Sequence, residues 1–218
     1  MAMRLYTYWR SSAAFRVRIA LGLKGVGYES VPRHLLRAGG EQRQADYLAL
    51  NPQGLVPGLE HDGGFVAQSL AICEYLEEIH PEPRLLPGTA LDRARIRAMA
   101  LAVACDIHPL NNLRVLQYLE REWGVPQPER DNWVRHWIVA GFDAFEAMLA
   151  GHPSTGTFCD GNVPTLADCC MVPQLYNARR FGVNLDAYPT MLRVEQACME
   201  LPAFQAAQPE RQPDAPKP

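Results

Sequence analysis

Hydrophobic and polar positions change period several times in the first 80 residues. An aromatic, β-leaning run (Leu5, Tyr6, Tyr8, Trp9) stops at Ser11-Ser12. Val17, Ala20, Leu21 and Lys24 then fall at spacings of three and four, which predicts a strand, a turn and a helix. Gly25 to Pro32 reads as a turn and a second short strand with Pro32 at its edge or end, completing a βαβ unit. Residues 33–50 are polar around Gly39-Gly40 and predict a loop and a short helix ending before Asn51-Pro52. Residues 53–66 read as a loop containing Pro57, a strand, a glycine turn and another strand. Gln68-Ser69 then opens a helix with Ile72, Tyr75, Leu76 and Ile79 on one face and Glu74, Glu77 and Glu78 outside.

Beyond the proline-rich stretch His80 to Gly88 every segment carries a helical period, so that stretch is the expected boundary between a domain over 1–82 and an all-helical one over 88–207. Ala90 to Cys105 is one helix, and Pro109 predicts a kink or break before Leu110, Leu113, Leu116 and Leu119 resume the pattern. Asp131 to Leu149 is amphipathic, and its aromatic stripe (Trp133, Trp137, Phe142, Phe145) reads as core. Thr165-Leu166-Ala167-Asp168 has capping-box spacing, which makes Asp168 a structural residue with no catalytic role. Its helix continues over 169–181, and residues 190–201 form the last one. The tail over 208–218 is too polar and proline-rich to fold by itself.

Composition narrows the function. The 218 residues are 48% hydrophobic with a formal net charge of -3, which makes no electrostatic case for nucleic acid or an anionic membrane and leaves small molecules and protein partners. The opening Met1 to Leu5 leads into a strand without a signal-peptide apolar region, and no apolar run is long enough to span a bilayer, so a cytoplasmic protein is expected. Six scattered cysteines, with neither CxxC nor metal-ligand spacing, read as reduced and packed, with no metal. The plain reading of Ser11 and Ser12 is helix capping. The sharper one is that two hydroxyls, free N–H groups, the helix dipole and Arg10 converge on a spot suited to an anion or thiolate. Ser69 opens a second candidate anion site, and Val56-Pro57, just before a strand, sits where a cis bond is tolerated.

The chain-wide combination is more specific than any of its parts. A strand, an SS turn and a helix are followed by NPQGLVPGL (51–59), QSLAICEYLEE (68–78) and a helical half bearing TLAD (165–168). Together with RVRIALGLKGVGYE (16–29), DIHPLNN (106–112), VPQLYNARRF (172–181) and QPDAP (212–216), this pattern resembles a cytosolic glutathione transferase. It is most similar to the zeta class, whose members are maleylacetoacetate and maleylpyruvate isomerases. The resemblance covers nearly the whole chain. It implies an α/β thioredoxin-like N-terminal domain followed by an all-α domain, a homodimer, and glutathione as cofactor.

The resemblance also implies site residues. Ser11 and Ser12 orient and hydrogen-bond the glutathione sulfur, with Ser12 finishing the helix while Ser11 points at sulfur. Gln42 lies along the tripeptide, Val56 before a cis Pro57 pairs with its cysteinyl backbone, and Gln68 and Ser69 hold the γ-glutamyl end. His108 and Asn112 are the corresponding second-domain positions of the cleft. The implied reaction is thiolate addition to the cis double bond of a conjugated dicarboxylate, rotation and elimination, in aromatic-compound breakdown. Two carboxylates call for guanidinium groups; Arg10 and Arg180 are the candidates, with Arg114 and Arg179 behind them, while Arg16 and Arg18 read as surface charges or ion-pair partners. Ala13 stands where many zeta-class sequences have a cysteine, so the turn brings no thiol of its own. A generic transferase or α-haloacid dehalogenase is the alternative enzyme reading, and a non-catalytic glutathione-transferase-fold binding module the non-enzymatic one.

Overall fold

The computed structural model describes residues 3–217, which divide into two compact units, 3–85 with 199–217 and 86–198. The division falls inside the proline-rich stretch. The C-terminal boundary differs from the expected one, because residues 199–217 pack with the first unit and neither extend the helical unit nor stand alone as a tail.

The first unit is built on a four-stranded sheet in the order β2-β1-β3-β4. β1 (Met3–Thr7) and β2 (Tyr28–Pro32) are parallel and joined by α1 (Ser12–Leu23). β3 (Gly58–His61) and β4 (Gly64–Ala67) form a hairpin antiparallel to β1. Its turn is Asp62-Gly63, both at positive φ (48° and 77°), the pairing that lets two strands reverse without splaying. Side-chain alternation along β1 sends Leu5 to one face, opposite Leu59, and Arg4 and Tyr6 to the other, where Tyr6 packs on Tyr47 and Phe65 and donates to Glu60 at 2.9 Å. Gly58 is required there: a Cβ would lie 2.2 Å from Phe65 Cζ.

Between β2 and β3 lie two short 3-10 turns and α2 (Ala45–Leu50). α3 (Ser69–Ile79) follows β4. Lys24, with its side chain fully buried, donates to Glu77 at 2.7 Å and to the His80 and Pro83 carbonyls at 2.6 and 3.0 Å, so one ammonium ties α1 to the end of α3 and the segment after it. The unit is completed by α9 (Pro202–Ala207), which packs against α1 so closely that a Cβ on Gly22 would lie 3.1 Å from the Ala203 Cβ. The helix expected over 190–201 is α8 (Pro189–Met199), and α9 is a further helix beyond it, opened at Leu201-Pro202 because a proline starts a helix and cannot continue one.

The second unit is helical. α4 (Ala90–Leu101) starts at a Thr89/Asp92 capping box and runs into a π-helical turn, Ala102–Ile107, and a 3-10 turn, His108–Asn111. α5 (Leu113–Trp123) begins at Asn112. The break expected at Pro109 thus occupies both sides of it. α6 (Gln127–Leu149) approaches the π turn closely enough that a Cβ on Gly141 would lie 2.2 Å from Ile107. α7 (Leu166–Arg180) is buried along nearly its whole length and carries Pro173 in its interior. Arg95 pins the irregular segment before α7 by donating to the Cys159 and Met148 carbonyls, to Thr155 and to Asp160. Among the described residues no helix is long and apolar enough to cross a membrane.

Candidate active site

Register places the first-unit candidates at one end of the sheet. Tyr6 pairs with Gly58 and Gly58 with Ala67, while Thr7 pairs with Pro32. The turn that follows β1, the Val56-Pro57 step that precedes β3, the Gln68-Ser69 step that follows β4 and the chain leaving β2 toward Gln42 therefore all emerge from the same end. Val56-Pro57 is a cis peptide, as expected. Just before it the Leu55 carbonyl accepts from Tyr47 Oη at 2.7 Å and Asn51 Nδ2 at 2.8 Å, fixing the approach of that loop.

The helix cap falls on Ser11 where Ser12 was expected to supply it. Ser11 is the N-cap of α1, its Oγ accepting from the Ala14 amide at 3.2 Å, and Ser12 is the first helical residue, 8% exposed. A hydroxyl has one proton to give and two lone pairs. Capping uses one lone pair, so Ser11 retains its proton for an anion at the helix N-terminus, where unpaired amides and the dipole favour negative charge. Ala13 is in the first turn beside them and offers no thiol.

Gln68 has φ 72° and ψ 122°, an uncommon conformation for a residue with a side chain, and its Nε2 donates to Gln53 Oε1 at 2.7 Å. Ser69 is buried and accepts from Arg16 Nη1 at 3.2 Å. Gln42 is 5% exposed, and its Oε1 is buried without a hydrogen-bond donor. A buried orphan acceptor costs free energy unless something donates to it, so Gln42 is poised for an N–H such as a peptide ligand supplies. Arg10 is half-buried, with its guanidinium 5.3 Å from the Trp9 ring centroid.

Arg16 and Arg18 correct the surface-charge reading. Each is only 2% exposed. Arg18 donates to the Ala207 carbonyl at 3.0 Å, to Thr7 Oγ1 at 3.3 Å, and to the Tyr8 and Trp9 carbonyls at 3.4 and 3.0 Å, holding the turn that leads to Ser11. A signal for this was present: residues 14–21 are otherwise apolar on every face, and a cation embedded in such a run is buried with partners.

In the second unit, Asn112 caps α5 by accepting from the Arg114 amide at 3.1 Å, and its Nδ2 lies 3.5 Å from His108 Nε2. Arg114 is exposed in the first turn of α5. Arg179 is engaged by both oxygens of Glu195, at 2.6 and 2.5 Å. Arg180 donates to Asn177 Oδ1 at 3.1 Å and lies over Phe181. Of the two adjacent arginines, the ion pair with Glu195 belongs to Arg179. Asp168 accepts from the Thr165 amide and hydroxyl, each at 2.7 Å, and from the Cys159 amide at 2.9 Å. Burial holds the Cys159 and Cys198 thiols above their ordinary range, with the nearby Asp168 charge adding to the effect, so neither is a source of thiolate.

The family models for the glutathione S-transferase N-terminal domain and C-terminal domain match residues 1–78 and 127–197. A maleylacetoacetate isomerase of Pseudomonas aeruginosa is 51% identical over 98% of this chain and 99% of its own. A holo structure of a maleylpyruvate isomerase, a bacterial zeta-class glutathione S-transferase, superposes with a TM-score of 0.95 at 49% identity, covering 98% of this chain and 100% of that one. The maleylacetoacetate isomerase of Anaeromyxobacter dehalogenans, solved with dicarboxyethyl glutathione and citrate in its active site, gives 0.88 at 48% identity over 100% of this chain and 95% of that one. The chain belongs to the glutathione S-transferase family, within its zeta class of maleylacetoacetate and maleylpyruvate isomerases.

Proposed function

We propose that this chain is a glutathione-dependent cis-trans isomerase of a maleyl-keto acid, maleylacetoacetate or maleylpyruvate, acting in aromatic-compound breakdown. The observation that carries the reading is the turn before α1: a helix N-terminus with a hydroxyl proton to give and no thiol of its own. A site built for a thiolate and lacking cysteine takes its sulfur from a ligand. The dicarboxyethyl glutathione bound by the solved relative is what results when that thiol adds across the double bond of a butenedioate.

The residues fit the tripeptide. Gln42 Oε1 is the buried acceptor awaiting an N–H, Val56 precedes the cis Pro57 at the start of β3, and Gln68-Ser69 presents the N-terminus of α3 to a carboxylate. Bound glutathione supplies a thiolate that adds to the cis double bond and departs after rotation about the single bond so formed. Ser11 donates its proton toward the sulfur, and the first-turn amides of α1 add their field. Arg10 neutralises charge developing on the keto acid beside the thiol, which lowers the barrier only where that charge appears. Arg180 holds the distal carboxylate with a fork-shaped pair of donors. His108, Asn112 and Arg114 are the remaining second-unit residues of this reading.

In this reading the protein is a cytoplasmic homodimer. Leu91 and Leu101 on α4, 78% and 44% exposed, are the apolar positions a second copy would cover. Replacing Arg180 by alanine is expected to raise the keto-acid KM about tenfold or more, while the glutathione dissociation constant stays within about twofold, because a lost charged hydrogen bond is worth about 1.5–3 kcal/mol at one ligand only. A fall in glutathione affinity instead would assign Arg180 to the other ligand. The direct test offers both keto acids with and without glutathione and follows the trans product. Isomerisation of at least one, and only with glutathione, is expected; isomerisation of neither overturns the reading.

A further inference from the structure

The segment expected to be a loose tail is bonded to the turn that leads to Ser11. The Trp9 amide donates to Asp214 Oδ2 at 2.8 Å across 205 residues. The same residue's carbonyl accepts from Arg18 Nη2 at 3.0 Å, so both backbone polar groups of Trp9 are held by side chains. Asp214 is itself placed by local structure. Gln212 Nε2 donates to the Ala206 and Gln208 carbonyls at 2.9 Å each, closing the end of α9, and the Arg211, Gln212 and Ala215 amides bond three residues back to Gln208, Pro209 and Gln212. Pro209 is buried. Arg18 joins this end to the turn by also donating to the Ala207 carbonyl.

What the turn presents is Arg10, whose guanidinium lies over the Trp9 ring, and Ser11, whose amide closes the turn on the Tyr8 carbonyl at 3.0 Å. We infer that Asp214 is a positioning residue: through the Trp9 amide, the 208–217 segment fixes the turn so that Arg10 stands at the reacting end of the keto acid. The carboxylate is suited to this because an ionised acceptor makes a shorter and stronger bond to an amide than a neutral one, so the peptide plane is restrained by a single contact. Preorganising a charged group before substrate arrives lowers the ordering cost at the moment of reaction. The inference rests on the isomerase reading for its kinetic consequence, but the contact itself is independent of it.

The test compares Asp214→Ala and Asp214→Asn in the full chain by amide hydrogen exchange at Trp9, by isomerase kinetics, and by binding of glutathione and of maleate. Asp214→Ala is expected to speed Trp9 exchange at least about tenfold and to lower kcat/KM for the keto acid about tenfold. Glutathione affinity should stay within about twofold and maleate affinity should fall with kcat/KM. Asp214→Asn keeps an acceptor oxygen and should recover most of both effects. Unchanged Trp9 exchange in Asp214→Ala overturns the contact. Faster exchange with intact kinetics and maleate binding overturns the positioning role. Equal loss of glutathione binding, maleate binding and melting temperature in both variants reduces Asp214 to a structural residue and also overturns it. A wild-type chain that isomerises neither keto acid refutes the isomerase reading alone, and Trp9 exchange with maleate binding then decides the role of Asp214.

Discussion

Ser11→Ala lowers isomerase turnover about tenfold to a hundredfold while glutathione affinity changes only a few fold. The free thiol has a pKa of about 8.5 and is mostly protonated at neutral pH. One unit of pKa requires only about 1.4 kcal/mol, and a hydrogen bond to a charged acceptor contributes about 1.5–3 kcal/mol before competition with water. Losing the hydroxyl therefore raises the bound thiol by one to two units and removes a comparable share of the reactive thiolate. Because the same oxygen caps α1 through the Ala14 amide, Ser11→Ala also costs about 1 kcal/mol of stability. Ser11→Asn separates the two effects: asparagine is as good a cap but has no hydroxyl. It should restore the melting temperature and leave turnover low. Ultraviolet absorbance of the bound thiolate against pH reads the shift directly; a thiol pKa and rate equal to wild type would remove Ser11 from the chemistry.

Asp168→Ala is the most destabilising single substitution expected in the second unit, at about 3–5 kcal/mol. Asp168 is fully buried and receives the Thr165 amide and hydroxyl, the Cys159 amide and, at 3.9 Å, the Cys198 thiol. Deleting it leaves those groups unsatisfied, at about 1–3 kcal/mol each, within a helix end that has no access to water. For a chain of this size the loss corresponds to a drop in melting temperature of roughly 6–20 °C. Asp168→Asn is no rescue, because its NH2 group faces a donor on one side.

Burial raises the Asp168 carboxyl above its ordinary 3.8, outweighing the donors from Cys159 and Thr165 that pull it down. The folded chain then binds this proton more tightly than the unfolded one. The group's contribution is full below the unfolded value, falls as pH rises through the folded value, and is constant beyond it. Asp168→Asn should abolish that acid-side slope in the denaturation midpoint. A midpoint for Asp168→Ala within about 1 kcal/mol of wild type would show that the helix end finds other acceptors.

Much of this architecture is legible from local chemistry. The Asp62-Gly63 hairpin, the serine that starts α1 and the Thr165/Asp168 box each follow from a residue type at a required position. The same T-x-x-D spacing at Thr89-Ala90-Leu91-Asp92 starts α4, a signal of equal quality at the head of the helical half. Pro173 argues locally against a helix, yet α7 passes through it, because burial of its neighbours on both sides outweighs one missing backbone bond. The π turn at Ala102–Ile107 has no counterpart in the pattern: an apolar period of three to four looks the same whether one residue is wound in or not.

The candidate site was legible as residue types and less so as roles. That a helix began at the two serines was plain, but which of them capped it depended on one backbone conformation, extended at Ser11 and helical at Ser12. The docking of α9 and the 208–217 segment was beyond local reading, since composition speaks for a segment alone. What orders this one are side-chain bonds from Arg18 to Ala207 and from the Trp9 amide to Asp214, spanning 189 and 205 residues.

In this enzyme the sulfur would be borrowed and returned, which the ratio of trans product formed to glutathione consumed reads out. With glutathione at a small fraction of the keto-acid concentration, complete conversion and full recovery of titratable thiol are expected. One thiol lost for each keto acid consumed would contradict this and identify the chain as a conjugating transferase.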